Sequence, residues 1–338
     1  MANFFSVAVI GVAHGHAYQM CAGLELEGAK IDYVCENSER ERNHFLSIYP
    51  QAKSATEADI LQNADVDLVV IAGIPAERAE AAVRAMRAGK DVLSAKAPAI
   101  SLEQLDLLRR TVEETGRRYF VFYSERVASE AALYAEQIIA DGVIGKVLNV
   151  TILAPHKLGE DRPDWFFKRQ SVGGILIDIA SHQFEQFLAY TGNRKAEILS
   201  ASVGNFSHAD KKEFEDFADC HLIGENGATG YIRVDWFTPQ SFPVFGDGKV
   251  VILGTKGTIE LRKYIDVGVN GVTETVLLST EEESRKFSVK GQIEKPFFRN
   301  IIKDCLHRTY TASDIERTLY TMELAITAQQ KAQKIAEK

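Results

Sequence analysis

The sequence predicts an α/β protein with two domains: a doubly wound parallel sheet, followed by an α+β domain with a large, mostly antiparallel open sheet. Short apolar runs alternate with helix-length segments through residues 1–124, which is the pattern of a parallel sheet. From residue 196 onward, strand-like segments follow one another without intervening helices, which is typical of an antiparallel sheet. The 338 residues are too many for one ordinary core. We therefore place the domains at 1–124 and 125–338, with a C-terminal helix that can pack back on the first.

Composition is that of a globular protein and excludes several classes of partner. Hydrophobic residues make up 46% and charged residues 25% of the chain. The formal net charge of −8 argues against binding to nucleic acid or to an anionic membrane. No apolar run is long enough to cross a bilayer, and the start of the chain lacks the basic residues of a secretory signal. Four scattered cysteines without a Cys-x-x-Cys pair favour reduced thiols, so we expect a cytoplasmic protein.

The first strand and turn have the pattern of a dinucleotide-binding βα unit of the Rossmann type. An apolar run at 5–10 leads into residues 11–16, GVAHGH, and a predicted helix through Leu26. In such a turn, the pyrophosphate of a dinucleotide rests on the amides of a helix N-terminus. A G-x-G-x-x-G fingerprint would have glycine at the positions of Ala13 and His16. The turn therefore fits a cofactor site, but it also fits a plain βα connection.

An acidic residue at the end of the second strand strengthens the cofactor interpretation. The strand at 31–35 ends at Glu36, where an acid commonly accepts hydrogen bonds from the hydroxyl groups of the adenosine ribose. No arginine follows directly, so NAD is favoured over NADP, although Arg40 and Arg42 leave NADP open. The alternative for Glu36 is a solvated carboxylate at a strand end.

The alternation of strand and helix continues to the end of the first domain. Further strands are predicted at 67–72, 91–94 and 119–122, and helices at 39–49, 57–63, 77–88 and from Ser101, which acts as a cap, to Thr115. Ligands of parallel sheets bind at the carboxyl ends of the strands. This rule selects the candidate cofactor-binding residues, which are Gly11, Ala13, His14, Gly15, Glu36, Gly73, Ile74, Pro75, Lys96 and Ser124.

A predicted helix at 172–188 carries a candidate pair for proton transfer. Two glycines open the segment, and apolar residues recur at helical spacing. Asp178 and His182 are four residues apart, so on a continuous helix they project from the same face. A carboxylate beside an imidazole orients a general base and stabilises its protonated form. The other interpretation is an ordinary intrahelical pair worth about 0.2–0.5 kcal/mol.

The loop at 154–167 supplies candidate substrate ligands. It lies between a strand at 147–153 and the 172–188 helix, and its mixture of charged and aromatic residues suits a polyol or glycoside. His156, Trp165 and, from the end of the last parallel strand, Arg126 are the predicted substrate-binding residues. Aromatic residues in such loops are more often core. The histidines of the chain lack a convincing ligand spacing, so no metal is expected.

The rest of the second half predicts the open sheet and its covering helices. A helix is predicted at 129–141, and two more at 297–306 and 314–335. One face of the sheet should pack against helices, and the other is exposed unless another subunit covers it. The predicted strands lie at 198–206, 217–223, 229–236, 249–253, 258–261, 264–269 and 275–279.

Together these motifs resemble the Gfo/Idh/MocA family of oxidoreductases (glucose–fructose oxidoreductase, inositol dehydrogenase, rhizopine catabolism). The resemblance covers essentially the whole chain: Lys96 just past a strand end, Glu36, the AGKDVL stretch at 88–93, the strand at 65–70, and the Gly-Gly…Asp-x-x-x-His segment. It implies an NAD(P)-dependent dehydrogenase acting on sugars, cyclitols or related polyols. It also implies a homodimer or homotetramer formed through the C-terminal sheet.

The resemblance further implies that Lys96, Asp178 and His182 are the catalytic lysine, aspartate and histidine. The family's Glu-Lys-Pro is replaced by Ala95-Lys96-Ala97-Pro98, which moves the expected cis peptide bond to Ala97–Pro98. The family's histidine after the fourth strand is replaced around Arg78, and Ser124 occupies the position of an asparagine that often precedes the arginine.

Two other function classes stay open at this point. Some relatives of the family are NAD-dependent glycosidases, which oxidise a ring hydroxyl, eliminate the aglycone and then reduce the ring again. The same three residues would serve that chemistry. The third possibility is a non-catalytic protein that binds NAD as a signal.

Overall fold

The computed structural model describes residues 4–266 and 271–335. Within them the chain forms the strands β1 (Ser6–Ile10), β2 (Lys30–Cys35), β3 (Lys53–Ser54), β4 (Leu68–Ile71), β5 (Asp91–Ala95), β6 (Tyr119–Phe122), β7 (Val147–Pro155), β8 (Ala196–Gly204), β9 (Phe217–Gly224), β10 (Thr229–Asp235), β11 (Lys249–Gly254), β12 (Gly257–Arg262), β13 (Thr275–Thr280), β14 (Ser284–Ser288) and β15 (Gln333–Lys334).

The helices of the same residues are α1 (His16–Leu26), α2 (Glu39–Ile48), α3 (Glu57–Gln62), α4 (Pro75–Arg87), α5 (Leu102–Thr115), α6 (Ser124–Val127), α7 (Glu130–Ala140), α8 (Arg169–Val172), α9 (Ile175–Asp178), α10 (Ser181–Thr191), α11 (Phe297–His307) and α12 (Ile315–Lys331). A 3₁₀ turn spans Asp164–Phe167. The predicted cap of α5 is confirmed, because the Ser101 side chain accepts the Gln104 N–H.

The chain divides into two compact units. One is formed by the chain up to Phe122 together with Pro296–Leu319, and the other by Tyr123–Lys295 together with the chain from Tyr320 onward. The first unit thus includes a segment that is distant in sequence. The boundary between residues 124 and 125 stays a prediction.

The first unit is built on a six-stranded sheet in the order β3-β2-β1-β4-β5-β6. All neighbouring strands are parallel, and β1 pairs with β2 on one side and β4 on the other. Every residue of β1, β4, β5 and β6 is buried, as expected where a parallel sheet is covered on both faces. This confirms the predicted doubly wound sheet, with its carboxyl edge carrying the turns 11–16, 36–38, 73–75 and 96–98.

The second unit contains a nine-stranded mixed sheet in the order β14-β13-β12-β11-β7-β10-β9-β8-β15. Its pairs are antiparallel except β7 with β10 and β8 with β15, which confirms the predicted, mostly antiparallel sheet. Helices α7 and α10 pack against one face, and burial alternates along β9, β10 and β11. The opposite face exposes large apolar side chains, among them Val251 and Leu253.

The predicted continuous helix at 172–188 is wrong. Gly173 and Gly174 adopt φ values of 82° and 118°, which end α8 and start a new segment. A second break lies between α9 and α10, where the Ala180 N–H reaches back to the carbonyl of Ile175. There the hydroxyl of Ser181 donates to the carbonyl of Asp178 at 3.3 Å. Asp178 therefore ends one helix, and His182 lies in the first turn of the next.

Other differences concern short or polar strands. The predicted strand at 264–269 is wrong where the structure describes it, since only an isolated bridge joins Ile265 to Val272; residues 267–269 lie outside the described residues. The strand β14 was missed because its residues are mostly exposed and lack an apolar alternation. The predicted helix at 314–335 ends at Lys331, and the chain then pairs with β8 as β15.

Candidate active site

The turn after β1 is packed directly against the turn after β4. Gly11 has φ +74°, and a Cβ there would lie 2.5 Å from the Cα of Gly73. The Gly11 N–H donates to the carbonyl of Cys35, and the His14 N–H to that of Ala72. Gly15, in contrast, has no atom within 4 Å of a Cβ placed on it. The turn is therefore rigid at its start and open where α1 begins, which is where a dinucleotide pyrophosphate would bind.

Glu36 is positioned by the backbone on both sides of it. Its Oε2 accepts the Val12 N–H at 2.9 Å, and its Oε1 accepts the Ser38 N–H at 2.8 Å. Each carboxylate oxygen keeps a further lone pair for a ribose hydroxyl. Arg42 donates to the carbonyl of Glu36 at 2.8 Å, so a guanidinium stands beside the acid. The arrangement fits a nicotinamide dinucleotide without distinguishing NAD from NADP.

Lys96 follows β5 and is buried, with 6% of its surface exposed. Its main chain is held by Arg78, a fully buried side chain that donates to the carbonyl oxygens of Gly73, Lys96 and Ala97. The expected cis bond at Ala97–Pro98 is wrong, because the cis bond is Lys96–Ala97. Arg78 Nη1 donates to the carbonyl oxygens of both Lys96 and Ala97. Arg78 thus links the turns after β4 and β5. We call Gly11, Glu36, Gly73 and Lys96 the strand-end cluster.

The remaining predicted cofactor residues lie on the same turns, apart from Ser124. Ile74 is the N-cap of α4, and Pro75 its first residue. His14 accepts the His16 N–H on its Nδ1 at 3.1 Å. Ser124 is the first residue of α6, in the second unit. The predicted roles of these residues in cofactor binding stay predictions.

A buried carboxylate that the sequence did not single out organises the second unit. Glu125, on α6, is 5% exposed. Its Oε2 accepts from Lys263 Nζ and from Gln183 Nε2, each at 2.8 Å. Its Oε1 faces His156 Nε2 at 3.6 Å. Lys263 is itself 1% exposed and also donates to Gln186 at 3.1 Å. A buried ion pair of this kind is tolerated only where further hydrogen bonds satisfy both charges.

The charge of Glu125 acts on two histidines. Burial by itself would raise the pKa of this carboxyl, but the positive charges of Lys263, His182 and His156 outweigh burial and hold the pKa below its ordinary value. The carboxylate is therefore ionised at neutral pH. By the same interaction it favours the protonated forms of His156 and His182. We call Glu125, His156 and His182 the histidine–glutamate cluster.

The two imidazoles are positioned by different contacts. His156 Nδ1 lies 3.0 Å from the carbonyl of Ala154, so Nδ1 carries a hydrogen and donates, and Nε2 is directed at Glu125. The ring packs edge-on against Trp236 and Phe245. His182 is 4% exposed and packs edge-on against Tyr123. The structure therefore places His156 against the carboxylate of Glu125 and His182 within electrostatic reach of it.

Asp178 is 7% exposed, and its charge acts on Arg162. Asp178 ends α9 and His182 lies in the first turn of α10, while Ile179 and Ala180 between them keep right-handed helical backbone angles. The catalytic roles of the two residues stay predictions. Arg126, predicted to bind substrate, is bound to two carboxylates, with Nε 2.7 Å from Glu185 and Nη1 3.0 Å from Glu136. These contacts give Arg126 a structural role that the sequence did not indicate.

Trp165 belongs to the 3₁₀ turn and is half-buried, with its ring edge-on to Phe166 at 6.1 Å. Its predicted contact with a sugar stays a prediction. Among residues 4–266 and 271–335, no three histidine, cysteine or acidic side chains are grouped as a metal site would require. No helix in this part of the chain combines the length and apolar character needed to span a bilayer.

Two family models match the chain, and both describe domains of the same family. The model for the oxidoreductase family with an NAD-binding Rossmann fold matches residues 5–123, and the model for the GFO/IDH/MocA C-terminal domain matches residues 132–260. The chain belongs to the Gfo/Idh/MocA family of oxidoreductases. Its resemblance to that family, drawn from sequence motifs, is thereby confirmed, and so is an NAD(P)-binding Rossmann domain.

Individual relatives agree with this placement. A crystal structure from Erwinia carotovora atroseptica SCRI1043, provisionally named an oxidoreductase, is 42% identical with a TM-score of 0.96, and the match covers 98% of this chain and 100% of that one. KijD10, a 3-ketoreductase from Actinomadura kijaniata solved with NADP, shares the fold with a TM-score of 0.82 at 17% identity, covering 99% and 100% of the two chains. The 2,7-anhydro-N-acetylneuraminate hydratase of Mediterraneibacter gnavus is 27% identical over 82% of this chain and 73% of its own.

Proposed function

We propose that this protein is an NAD(P)-dependent dehydrogenase that transfers a hydride between a secondary hydroxyl group of a sugar, cyclitol or glycoside and nicotinamide. The observation that carries the proposal is the histidine–glutamate cluster. The negative charge of the buried Glu125 stabilises the imidazolium that forms when His182 accepts a hydroxyl proton. The family membership of the chain supplies the cofactor class.

The proposed roles follow the chemistry of alcohol oxidation. The bound nicotinamide supplies the hydride acceptor. His182 takes the hydroxyl proton while the carbon loses its hydride, so the alcohol becomes a ketone. Lys96 donates a hydrogen bond to the same oxygen and stabilises the charge that develops there. Asp178 helps to hold the imidazole. Lys96 is suited to this role because Arg78 fixes its main chain.

NAD is the proposed cofactor, with NADP as the alternative. Glu36 is placed to accept from two ribose hydroxyls, which favours NAD, whereas the neighbouring Arg42 could pair with a 2′-phosphate.

We also propose a homodimer or homotetramer joined through the open face of the nine-stranded sheet, since Val251 and Leu253 are exposed there. A cytoplasmic location stays a prediction. Size-exclusion chromatography with light scattering checks the assembly: substitution of Val251 by Asp should shift the protein toward the monomer.

A second candidate function is a hydratase or glycosidase reaction in which oxidation is transient. The observation that favours it is the relative named as a hydratase. In such a reaction, the hydride is removed, an adjacent bond is broken or water is added, and the hydride is returned, so that no net NADH forms. Net accumulation of NADH from a free polyol supports the dehydrogenase. Product formation from a glycoside or anhydro-sugar without net NADH supports the second candidate.

The substitution of His182 by Ala tests both candidates at once. We expect turnover to fall by about 10²- to 10⁴-fold, because a positioned base contributes that much, while the affinity for NADH is unchanged. The measurement is NADH absorbance or product analysis with purified protein and a panel of cyclitols, sugars and glycosides. His307→Ala, at an exposed position on α11, is the matched control and should leave turnover unaltered. Near-normal turnover of the His182 variant would contradict the assignment. Failure of the wild-type protein to convert any compound would leave a cofactor-binding protein without catalysis.

A further inference from the structure

Arg162, in the loop that follows β7, has a guanidinium group held by one hydrogen bond and by contact with two aromatic rings. Its Nε donates to the carbonyl of Leu158 at 2.6 Å. The group lies over the ring of Phe166 at 4.5 Å and near that of Trp236 at 5.4 Å. Both rings are buried. Within 4–266 and 271–335, neither Nη1 nor Nη2 donates a hydrogen bond, and no carboxylate lies at ion-pair distance from this side chain.

The side chain of Arg162 is partly buried, and two effects act on its charge. Burial lowers the pKa of Arg162, and the charge of Asp178 opposes that effect without a direct hydrogen bond. Within the described residues the terminal nitrogens of Arg162 have no hydrogen-bond partner but remain accessible to water, so an anion can approach them. Stacking on aromatic rings fixes the orientation of the fork in advance, so little side-chain entropy is lost when an anion binds.

The position of Arg162 connects it with the proposed reaction site. Trp236 contacts Arg162 on one side and lies 5.8 Å from the ring of His156 on the other. His156 in turn faces Glu125. Arg162 therefore lies one aromatic ring away from the histidine–glutamate cluster and within electrostatic reach of Asp178. An anion bound by Arg162 and a ligand group bound at His156 would both lie beside Trp236.

We propose that Arg162 binds the carboxylate group of the substrate, so that the substrate class is a sugar acid and not a neutral polyol. The inference rests on the proposed function, since it names the substrate of that reaction. A carboxylate accepts two parallel hydrogen bonds from a guanidinium fork. The same fork also binds phosphate, but Asp178 and Glu125 already carry negative charge here, and Lys263 is committed to Glu125. A monoanion is balanced by one arginine, whereas a phosphate dianion is not.

The test compares matched acid and neutral compounds on matched variants. The probes are hexuronates, aldonates and ulosonates, each beside its methyl ester, together with one hexose phosphate, all with NAD or NADP present. We expect wild-type protein to convert a free acid and to prefer it over its ester. Arg162→Gln should lower kcat/KM for the acid by about 10- to 100-fold, mainly through KM, because a charged hydrogen-bond pair is lost. The same variant should change kcat/KM for the ester by less than about threefold.

Two controls keep the inference separable from the proposed function and from misfolding. Arg162→Lys retains the charge without the fork and should give an intermediate KM; Arg285→Gln, at an exposed position on β14, should change nothing. If Arg162→Gln lowers kcat/KM equally for an acid and its ester, or lowers it only for the hexose phosphate, the carboxylate assignment is overturned. The proposed dehydrogenase activity is then still supported. If no compound is converted, the proposed function fails, and the carboxylate site is tested by calorimetry of the NADH-saturated protein. Binding of a free acid that depends on Arg162 supports the site. Absence of such binding overturns it.

Discussion

The strand-end cluster of the first unit differs from the histidine–glutamate cluster of the second in where its parts lie along the chain. Gly11, Glu36 and Lys96 each lie immediately after a strand of one parallel sheet. In the second unit, the partners Glu125 and Lys263 are 138 residues apart, on a short helix and after β12. The first cluster is specified by secondary structure and the second by tertiary packing. The two should therefore respond differently to substitution.

The clusters also differ in what stabilises them. Glu36 accepts from backbone amides and is partly exposed, so its charge remains close to water. Glu125 and Lys263 are buried against each other, and the positive charge of Lys263 lowers the pKa of Glu125. We therefore expect substitution of Glu125 or Lys263 to affect folding, and substitution of Glu36 to affect mainly cofactor binding.

The largest expected effect is that of Glu125→Gln. The neutral amide leaves Lys263 charged and buried, which costs about 3–5 kcal/mol in the free energy of unfolding. Urea unfolding measures this loss. Glu281→Gln, at an exposed position, is the control. Replacement of the pair together, by Glu125→Leu with Lys263→Met, should recover most of the stability. A single substitution that costs less than about 1 kcal/mol would contradict the buried pair.

The contribution of Glu125 to the free energy of unfolding should depend on pH. The pKa of Glu125 is lowered in the folded protein, so its contribution to stability is complete above the ordinary carboxyl value of 4.5 and is lost as pH falls toward the folded value. The difference in unfolding free energy between wild type and Glu125→Gln should therefore not shrink from about pH 8 to 6, since protonation of His156 or His182 adds to the attraction for Glu125, and it should shrink below about pH 4.5. A difference that shrinks between pH 8 and 6 would contradict this attraction.

Gly11→Ala should have the next largest effect, confined to the first unit. A left-handed φ costs a non-glycine residue about 1–2 kcal/mol, and the added Cβ would meet the Cα of Gly73 at 2.5 Å. We expect loss of stability together with at least tenfold weaker NADH binding, measured by fluorescence titration. Gly15→Ala is the matched control, since a Cβ there has open space and φ is −57°. Equal effects of the two substitutions would contradict the close contact between the turns.

This comparison also explains what the sequence could and could not predict. The parallel sheet and the positions of Gly11, Glu36 and Lys96 were predictable because each depends on a local apolar run and the turn that ends it. Glu125 and Lys263 had no such signal: each is a single charged residue in an otherwise ordinary segment, and only the fold shows that both are buried. The break between Asp178 and His182 was equally hidden, because apolar spacing continues across it. Arg162 was overlooked because its contact with Trp236 joins residues far apart in the chain.

The smallest expected effect, and the sharpest comparison of cofactors, is that of Glu36→Gln. An amide keeps one acceptor for a ribose hydroxyl but loses the negative charge, and a hydrogen bond to a charged group is worth about 1 kcal/mol more than a neutral one. The affinity for NADH should fall by about five- to tenfold, whereas that for NADPH should stay the same or rise, because repulsion of the 2′-phosphate is relieved beside Arg42. Titration of both cofactors measures the ratio, with Glu39→Gln as the exposed control. Equal weakening of both cofactors would mean that Glu36 acts by holding the amides of Val12 and Ser38 and not by contact with the ribose.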